Sequence, residues 1–153
     1  MQNRKKSQSV KKNEGSNIHI SDEKILDLIL TATEIEQRDI LYFEKLIKNM
    51  DDCENKEIAV SMWHDDLKHK KILEDMYLSA TGKSAVISDA SYHISSSVKA
   101  TTNQMLLNKL NSVEFYKSLY LVVKNQNVRD MVFDILVDEQ SHAIRLNCLM
   151  STL

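Results

Sequence analysis

The stretches Asp65-Asp66-Leu67-Lys68-His69 and Asp138-Glu139-Gln140-Ser141-His142 decide the interpretation of this sequence, because they repeat one chemical pattern 73 positions apart. In each stretch the second and fifth residues place a carboxylate and an imidazole at positions i and i+3. On an α-helix such residues share one face, with their Cβ atoms about 5 to 6 Å apart. This spacing is typical of a metal site between the helices of a bundle.

The match extends when residues 36 to 77 are placed on residues 109 to 150 without a gap. Tyr42-Phe43 then falls on Phe115-Tyr116, and both carboxylate and imidazole pairs keep the same register. Few of the matched residues are identical, so the common register of the chemical pairs carries the argument. We interpret the two halves as helix hairpins that arose by duplication and diverged.

Length and composition favour a single helical domain. The 153 residues include no proline and only two glycines, and 27% are charged, which favours helices over sheets. No run approaches eighteen apolar residues and the N-terminus does not resemble a signal peptide, so we expect a cytoplasmic protein that does not bind a membrane. Cys53 and Cys148 stand apart, with no CxxC motif, which argues against a disulfide framework or a zinc ribbon.

Charge is distributed unevenly along the chain. Residues 1–17 contain five basic residues and one acidic residue, whereas the whole sequence has a net charge of −2. We predict that residues 1–17 form a disordered basic tail and that residues 18–153 form the folded domain. The acidic charge of the remaining residues argues against broad contact with nucleic acid.

Apolar residues recur every three or four positions in four segments, which predicts four amphipathic helices. The stripes extend from Ile25 to Ile47, Ile58 to Met76, Thr102 to Tyr120 and Val128 to Leu149. The predicted N-caps are Ser21, Asp51, one of Ser95 to Ser97, and Asn125 or Asn127, and Gly82 is the predicted C-cap. Residues 82 to about 95 are polar and aperiodic, which predicts a long crossover between two helix hairpins. The fold class is therefore an all-α four-helix bundle.

Five ionisable residues interrupt these apolar stripes at one level of the predicted bundle: Glu36, Asp66, His69, Glu139 and His142. Burying such groups without compensation costs several kcal/mol each. They therefore require hydrogen bonds or a metal ion.

With these residues the sequence resembles the ferritin-like superfamily, and within it the rubrerythrin-type di-iron carboxylate domain, over residues 21 to 150. The resemblance implies that Glu36 and His69 bind a first iron, that Asp66 and Glu139 bridge two irons, and that His142 binds the second. The carboxylate expected at the counterpart of Glu36 is replaced by Lys109. Glu114 lies about 140° further round the helix and is not expected to replace it.

Lys109 leaves three interpretations open. Its ammonium can take the place of the second ion by pairing with Glu139 and Asp66, or a lowered pKa can make it a base, ligand or proton donor. A dinuclear site built in another way is the third. Three carboxylates and one ammonium carry a charge of −2, which balances one divalent ion and weakens the binding of a second. We expect one or two ions of iron, with manganese or zinc as alternatives. Tyr116 is a further catalytic candidate, or a core aromatic residue.

The resemblance implies an oxidoreductase that handles peroxide, oxygen or iron, of peroxidase or ferroxidase type. The absence of a rubredoxin-like motif implies a separate electron donor, and a homodimer is compatible with such bundles. Two alternatives remain: a non-catalytic bundle with a structural ion pair or a single metal, and an iron-storage protein.

Overall fold

A computed structural model describes residues 20, 22–88 and 90–153, and these residues contain four α-helices and no strand. The helices are α1 (Glu23–Asn49), α2 (Cys53–Thr81), α3 (Val98–Val122) and α4 (Gln126–Met150). The predicted all-α four-helix bundle is confirmed. The predicted tail of residues 1–17 lies outside the described residues, as does Ser21. None of the described helices combines the length and the apolar character that a membrane span needs.

Three helix ends follow the predicted local chemistry. The side chains of Ser97 and Asn125 accept hydrogen bonds from the backbone N–H groups of Ala100 and Val128, so they cap α3 and α4. Gly82 ends α2 with a φ of 70°, a left-handed conformation that glycine adopts without steric cost.

The other two helix starts differ from the prediction by one residue. Asp52, rather than Asp51, caps α2, because its carboxylate accepts a hydrogen bond from Asn55 N at 2.7 Å. Similarly, Asp22 caps α1 and accepts from Lys24 N at 3.0 Å. In both cases neighbouring polar residues competed for the cap, and the apolar periodicity does not distinguish between them.

The crossover between the hairpins runs along the outside of α1. Helix α1 packs against α2 and α3, and α4 packs against α3 and α2. In the connection from α2 to α3, Ser88 donates hydrogen bonds from its backbone N and its Oγ to Glu34 Oε1, at 3.1 and 2.9 Å. Further along, the ring of Tyr92 lies 6.3 Å from that of Tyr42. The connection therefore follows α1 for much of its length, as predicted for a crossover.

The interior has two apolar clusters with a polar layer between them. One cluster is built around Ile29, Leu73, Tyr116, Leu119, Val132 and Ile135. The other is built around Phe43, Leu46, Met62, Met105, Leu146 and Leu149. The core stripes predicted from the sequence supply most of both clusters, and each helix contributes to the layer that separates them.

Candidate metal centre

The polar layer contains Lys109 and all five predicted metal ligands, and the candidate Tyr116 lies in the adjoining apolar cluster. The ionisable side chains in it are almost completely buried, with at most 1% relative exposure: Glu36, Asp39, Asp66, His69, Lys109, Glu139 and His142. Such a concentration of ionisable groups in a bundle core is sustained only by mutual pairing or by a bound ion.

Lys109 is at the centre of the layer. Its Nζ donates hydrogen bonds to both carboxylate oxygens of Asp66 and to Glu139 Oε1, all at 2.8 Å. The ammonium also lies 5.7 Å from the centroid of the Phe43 ring. These contacts are those expected if the ammonium takes the place of a second ion. Glu114, as anticipated, is exposed and pairs with Lys117.

Asp39 is a fourth carboxylate of the layer, which the sequence analysis missed. Its Oδ2 forms an ion pair with Lys109 Nζ at 3.2 Å, and its Oδ1 accepts from Arg38 at 2.8 Å. The available signal was its position three residues after Glu36, the same i and i+3 spacing that identified the carboxylate and imidazole pairs. The count of three carboxylates was therefore wrong, and the layer holds four.

Two outer carboxylates orient the histidines across the hairpins. His69 Nε2 on α2 contacts Asp138 Oδ2 on α4 at 3.0 Å, and His142 Nε2 on α4 contacts Asp65 Oδ2 on α2 at 3.2 Å. With Nε2 protonated, each histidine donates to its aspartate and directs Nδ1 toward the layer. The sequence analysis assigned no role to these aspartates, although one precedes the central carboxylate in both quoted stretches.

The inward Nδ1 atoms have different surroundings. His69 Nδ1 lies 3.7 Å from Glu36 Oε2 and 4.0 Å from Asp66 Oδ1. His142 Nδ1 lies 3.4 Å from Asp66 Oδ1 and 3.3 Å from Glu139 Oε1. On the other side of the site, the Tyr116 hydroxyl donates a short hydrogen bond to Glu36 Oε1. Tyr116 is therefore both a core aromatic residue and a partner of a candidate ligand.

Glu36, Asp66, His69 and Glu139 form a group that can hold a metal ion. Each offers one ligand atom, and these atoms lie within 4.8 Å of one another. Within the group, Glu36 Oε2, His69 Nδ1 and Glu139 Oε2 are buried without a hydrogen-bond partner. Buried polar atoms are rarely left in this state, so the arrangement fits a cation. His142, predicted as the second ion's ligand, is close by but outside this group.

The environment separates the pKa values of the carboxyl groups. Burial, reinforced by Glu139 and Asp66, raises the pKa of Glu36 to about 7. Burial acts in the same direction on Glu139, but the neighbouring ammonium of Lys109 and the imidazole of His142 lower its pKa to about 2. Glu36 can therefore take up a proton near neutral pH, whereas Glu139 stays ionised.

The carboxylates of the layer raise the pKa of each basic group in it. Burial alone would lower the pKa of Lys109, but Asp66, Glu139 and Asp39 keep it well above its usual value. Burial likewise opposes protonation of His142, but the carboxylates of Asp66 and Glu139 near its Nδ1 raise its pKa to about 9. The pKa of His69 is also raised, against the effect of burial, by the nearby carboxylates of Glu36, Asp138 and Asp66. This environment does not favour Lys109 as a base.

Charge in the layer can be balanced by a single divalent ion. Four carboxylates and one ammonium leave a charge of −3 when both histidines are neutral. A divalent ion beside neutral His69, together with protonated His142, brings this charge to zero. A second divalent ion would instead meet the fixed positive charge of Lys109.

Comparison with known proteins supports the fold and adds no function. No protein-family model matches the sequence, and no curated protein matches it. Among solved structures, the chain is similar to a hypothetical protein from Pyrococcus furiosus, with a TM-score of 0.74 at 16% sequence identity. The similarity covers 83% of this chain and 88% of the other. At that identity the likeness establishes a shared helical bundle.

Proposed function

We propose that this protein binds one divalent ion of iron or manganese through Glu36, Asp66, His69 and Glu139, and acts as an oxidoreductase on peroxide, oxygen or ferrous iron. The observation that carries this proposal is the set of buried, unpartnered ligand atoms on Glu36, His69 and Glu139. Each such atom costs about 1 to 3 kcal/mol unless a partner is supplied. Zinc suits the same ligands but would not support redox chemistry.

The side chains around the ion have separate roles in this proposal. Lys109 occupies the second ion position and fixes the carboxylates of Asp66 and Glu139. Tyr116 holds Glu36 through its hydroxyl, and Asp138 orients His69. The apolar clusters on both sides keep water away, and the ion supplies the capacity to exchange electrons with a small oxidant. In this proposal a separate reductant supplies the electrons for turnover.

A second candidate function is a non-catalytic bundle whose polar layer only maintains its structure. The observation in its favour is the bonding of Lys109, which satisfies both oxygens of Asp66 and one of Glu139 without an ion. A buried ammonium among carboxylates can serve as an internal counterion. This candidate predicts a metal-free protein that is stable and inert toward peroxide.

Metal content distinguishes the two functions. The native chain, Lys109→Glu and Lys99→Glu are purified without chelators, loaded with ferrous iron under anaerobic conditions and analysed for metal. We expect one ion per native chain and about two per Lys109→Glu chain, because the substitution replaces a cation with a fifth carboxylate of the layer, at the position that corresponds to Glu36. Lys99→Glu makes the same charge change at an exposed position of the same helix and should bind one ion.

The loaded native protein is then mixed with peroxide, and oxidation of the bound ferrous iron is followed by its absorbance. Oxidation much faster than that of free iron in the same buffer supports the oxidoreductase. A native chain that binds no metal, or whose bound iron does not react, supports the structural candidate instead.

A further inference from the structure

The buried polar layer is linked to the surface at two seams of the bundle, where partly exposed side chains contact its members. Arg38 makes this link on the side of α1 and α3, and Asp65 and Asp138 make it between α2 and α4. The apolar clusters lie above and below the layer, and of the helix pairs in contact α2 and α4 pack least extensively. An ion that reaches the layer is therefore expected to cross one of these seams.

The α1/α3 seam presents positive charge to an approaching cation. The Arg38 side chain is 25% exposed, and both its Nε and one of its terminal nitrogens lie 2.8 Å from Asp39 Oδ1. The other oxygen of Asp39 lies 3.2 Å from the ammonium of Lys109. A divalent ion crossing here would meet two fixed positive charges in succession, which opposes its entry.

The α2/α4 seam presents negative charge instead. The side chains of Asp65 and Asp138 are 37% and 40% exposed, and each contacts the Nε2 of a histidine on the opposite helix. The rings of those histidines, His69 and His142, are almost completely buried, with their centroids 6.1 Å apart. The two imidazoles therefore close the seam from inside, and the two carboxylates lie outside them.

Two basic side chains of the same helices come close to this seam. Arg145 is occupied, because it donates hydrogen bonds to Ser61 Oγ and, at 3.3 Å, to Ile58 O, one turn or more before Asp65. Lys68 is exposed and follows Asp65 by three residues, a spacing that places the two side chains on one face of α2. Lys68 therefore offsets part of the attraction that the aspartates exert on a cation.

The inner edges of the same rings indicate independently that an ion passes here. His69 Nδ1 and His142 Nδ1 are buried without a hydrogen-bond partner, and Glu36 Oε2, which is also unpartnered, lies 3.7 Å beyond the first of them. Oxygen and nitrogen ligands thus follow one another from the surface to the metal group. An arriving cation competes with the Nε2–H group for the outer carboxylate and so frees the ring that closes the seam.

We propose that divalent ions enter the metal centre through the α2/α4 seam, and that Asp65 and Asp138 first bind the incoming ion. The inference rests on the proposed metal-binding function and adds the route of entry to it. Asp65 is the cleaner test residue, because Asp138 also orients the candidate ligand His69.

Stopped-flow mixing of the metal-free full-length chain with manganese tests the route, with the free ion followed by a fluorescent chelator. In Asp65→Asn the rate constant of uptake should fall by about 10-fold at low ionic strength. The equilibrium dissociation constant should change by much less, since an entry group affects uptake and release alike. Added salt should reduce the difference in rate between Asp65→Asn and the native chain, because it screens the exposed charge.

Three further variants separate the route from a general effect of charge or structure. Asp27→Asn is the matched control, because it removes the same charge from an exposed position of α1, and its uptake rate should stay within about twofold of native. Lys68→Gln should accelerate uptake, whereas damage to the fold would slow it. Arg38→Gln should leave the rate nearly unchanged, since the ion does not pass that side chain.

Two results would overturn the proposal, and they have different meanings. A native chain that takes up no manganese excludes the metal-binding function and the route together. A native chain that binds manganese, with a rate unchanged in Asp65→Asn and raised in Arg38→Gln, places the entrance at the α1/α3 seam and leaves the metal-binding function intact.

Discussion

Helices α1 and α3 hold equivalent positions in the bundle but contribute opposite charges to its centre. At the 73-residue offset, α1 presents Glu36 and Asp39 where α3 presents Lys109 and Ser112. The other two helices, in contrast, supply nearly the same chemistry, with an aspartate, a second carboxylate and a histidine on each. Helices α2 and α4 therefore keep similar candidate ligands, whereas α1 and α3 differ in how they balance the charge of those ligands.

The aromatic residues next to these positions differ in a related way. Phe43 on α1 lies against the ammonium of Lys109, whereas its counterpart Tyr116 on α3 donates a hydrogen bond to Glu36. Each side chain therefore faces the group that it suits, a ring toward a cation and a hydroxyl toward a carboxylate. The polar layer is asymmetric in composition and consistent in its pairing.

The largest expected effect is the loss of stability when Lys109 is replaced, because this residue gives α3 the charge opposite to that of α1. In Lys109→Met the four buried carboxylates lose their internal counterion, and we expect the metal-free protein to unfold about 3 to 5 kcal/mol more readily. Urea unfolding in EDTA measures this loss, and added manganese should recover part of it.

Lys99→Met is the matched control, because it removes an exposed lysine from the same helix and should change stability by less than about 0.5 kcal/mol. Equal stability of Lys109→Met and the native chain in EDTA would show that the ammonium does not balance the layer.

The pH dependence of stability tests the two hairpins separately, because Glu36 belongs to the first hairpin and His142 to the second. In the metal-free protein the pKa of Glu36 is raised from 4.5 to about 7, so stability falls as the pH rises through that window. The pKa of His142 is raised from 6.5 to about 9, so its contribution is complete below 6.5 and lost as the pH rises through 9. The lowered pKa of Glu139 acts at the other end, where stability is lost as the pH falls from 4.5 toward 2.

Metal-free protein should therefore be most stable near pH 5 and lose several kcal/mol by pH 9. Urea unfolding in EDTA at several pH values measures the decline, and His142→Gln should remove only the part above about pH 6.5. The control substitution is His64→Gln, at an exposed position of α2 outside the polar layer. Bound metal should flatten the decline, because an ion requires the carboxylate of Glu36 and the Nδ1 of His69 without a proton. Rising stability between pH 5 and 9 in EDTA would contradict this assignment.

The smallest expected effect compares the two outer aspartates. Asp138 orients His69, which belongs to the proposed metal group, whereas Asp65 orients His142, which does not. Asp138→Asn should weaken metal binding by about 10- to 100-fold, the range typical of groups that support a ligand. Asp65→Asn should weaken it by much less. Calorimetric titration with manganese measures both affinities, and equal losses would indicate a site shared by the two histidines.

The sequence was sufficient to predict the helices, the crossover and the principal buried residues, because apolar periodicity and the cap residues act locally. It also placed Lys109 near Asp66 and Glu139, since residues at one level of a bundle must meet. Asp39 was missed because the predicted stripe of α1 passes through its neighbour Ile40, and only residues on the stripes were considered for the layer. The contacts of Asp65 and Asp138 cross from one hairpin to the other, so they depend on helix rotation and rotamers that periodicity does not determine.

Alternation of apolar, charged and apolar levels along the bundle fixes the axial alignment of its helices. If one helix slid by a single turn, about 5.4 Å, much of each apolar cluster would still meet apolar side chains. The same slip would carry Lys109 away from Asp66 and Glu139 and leave charges against hydrocarbon. We infer that the polar layer fixes the register of the helices, as a single buried polar residue does in a coiled coil. Broadened methyl resonances in Lys109→Met would reveal its loss, because the helices would then sample more than one alignment.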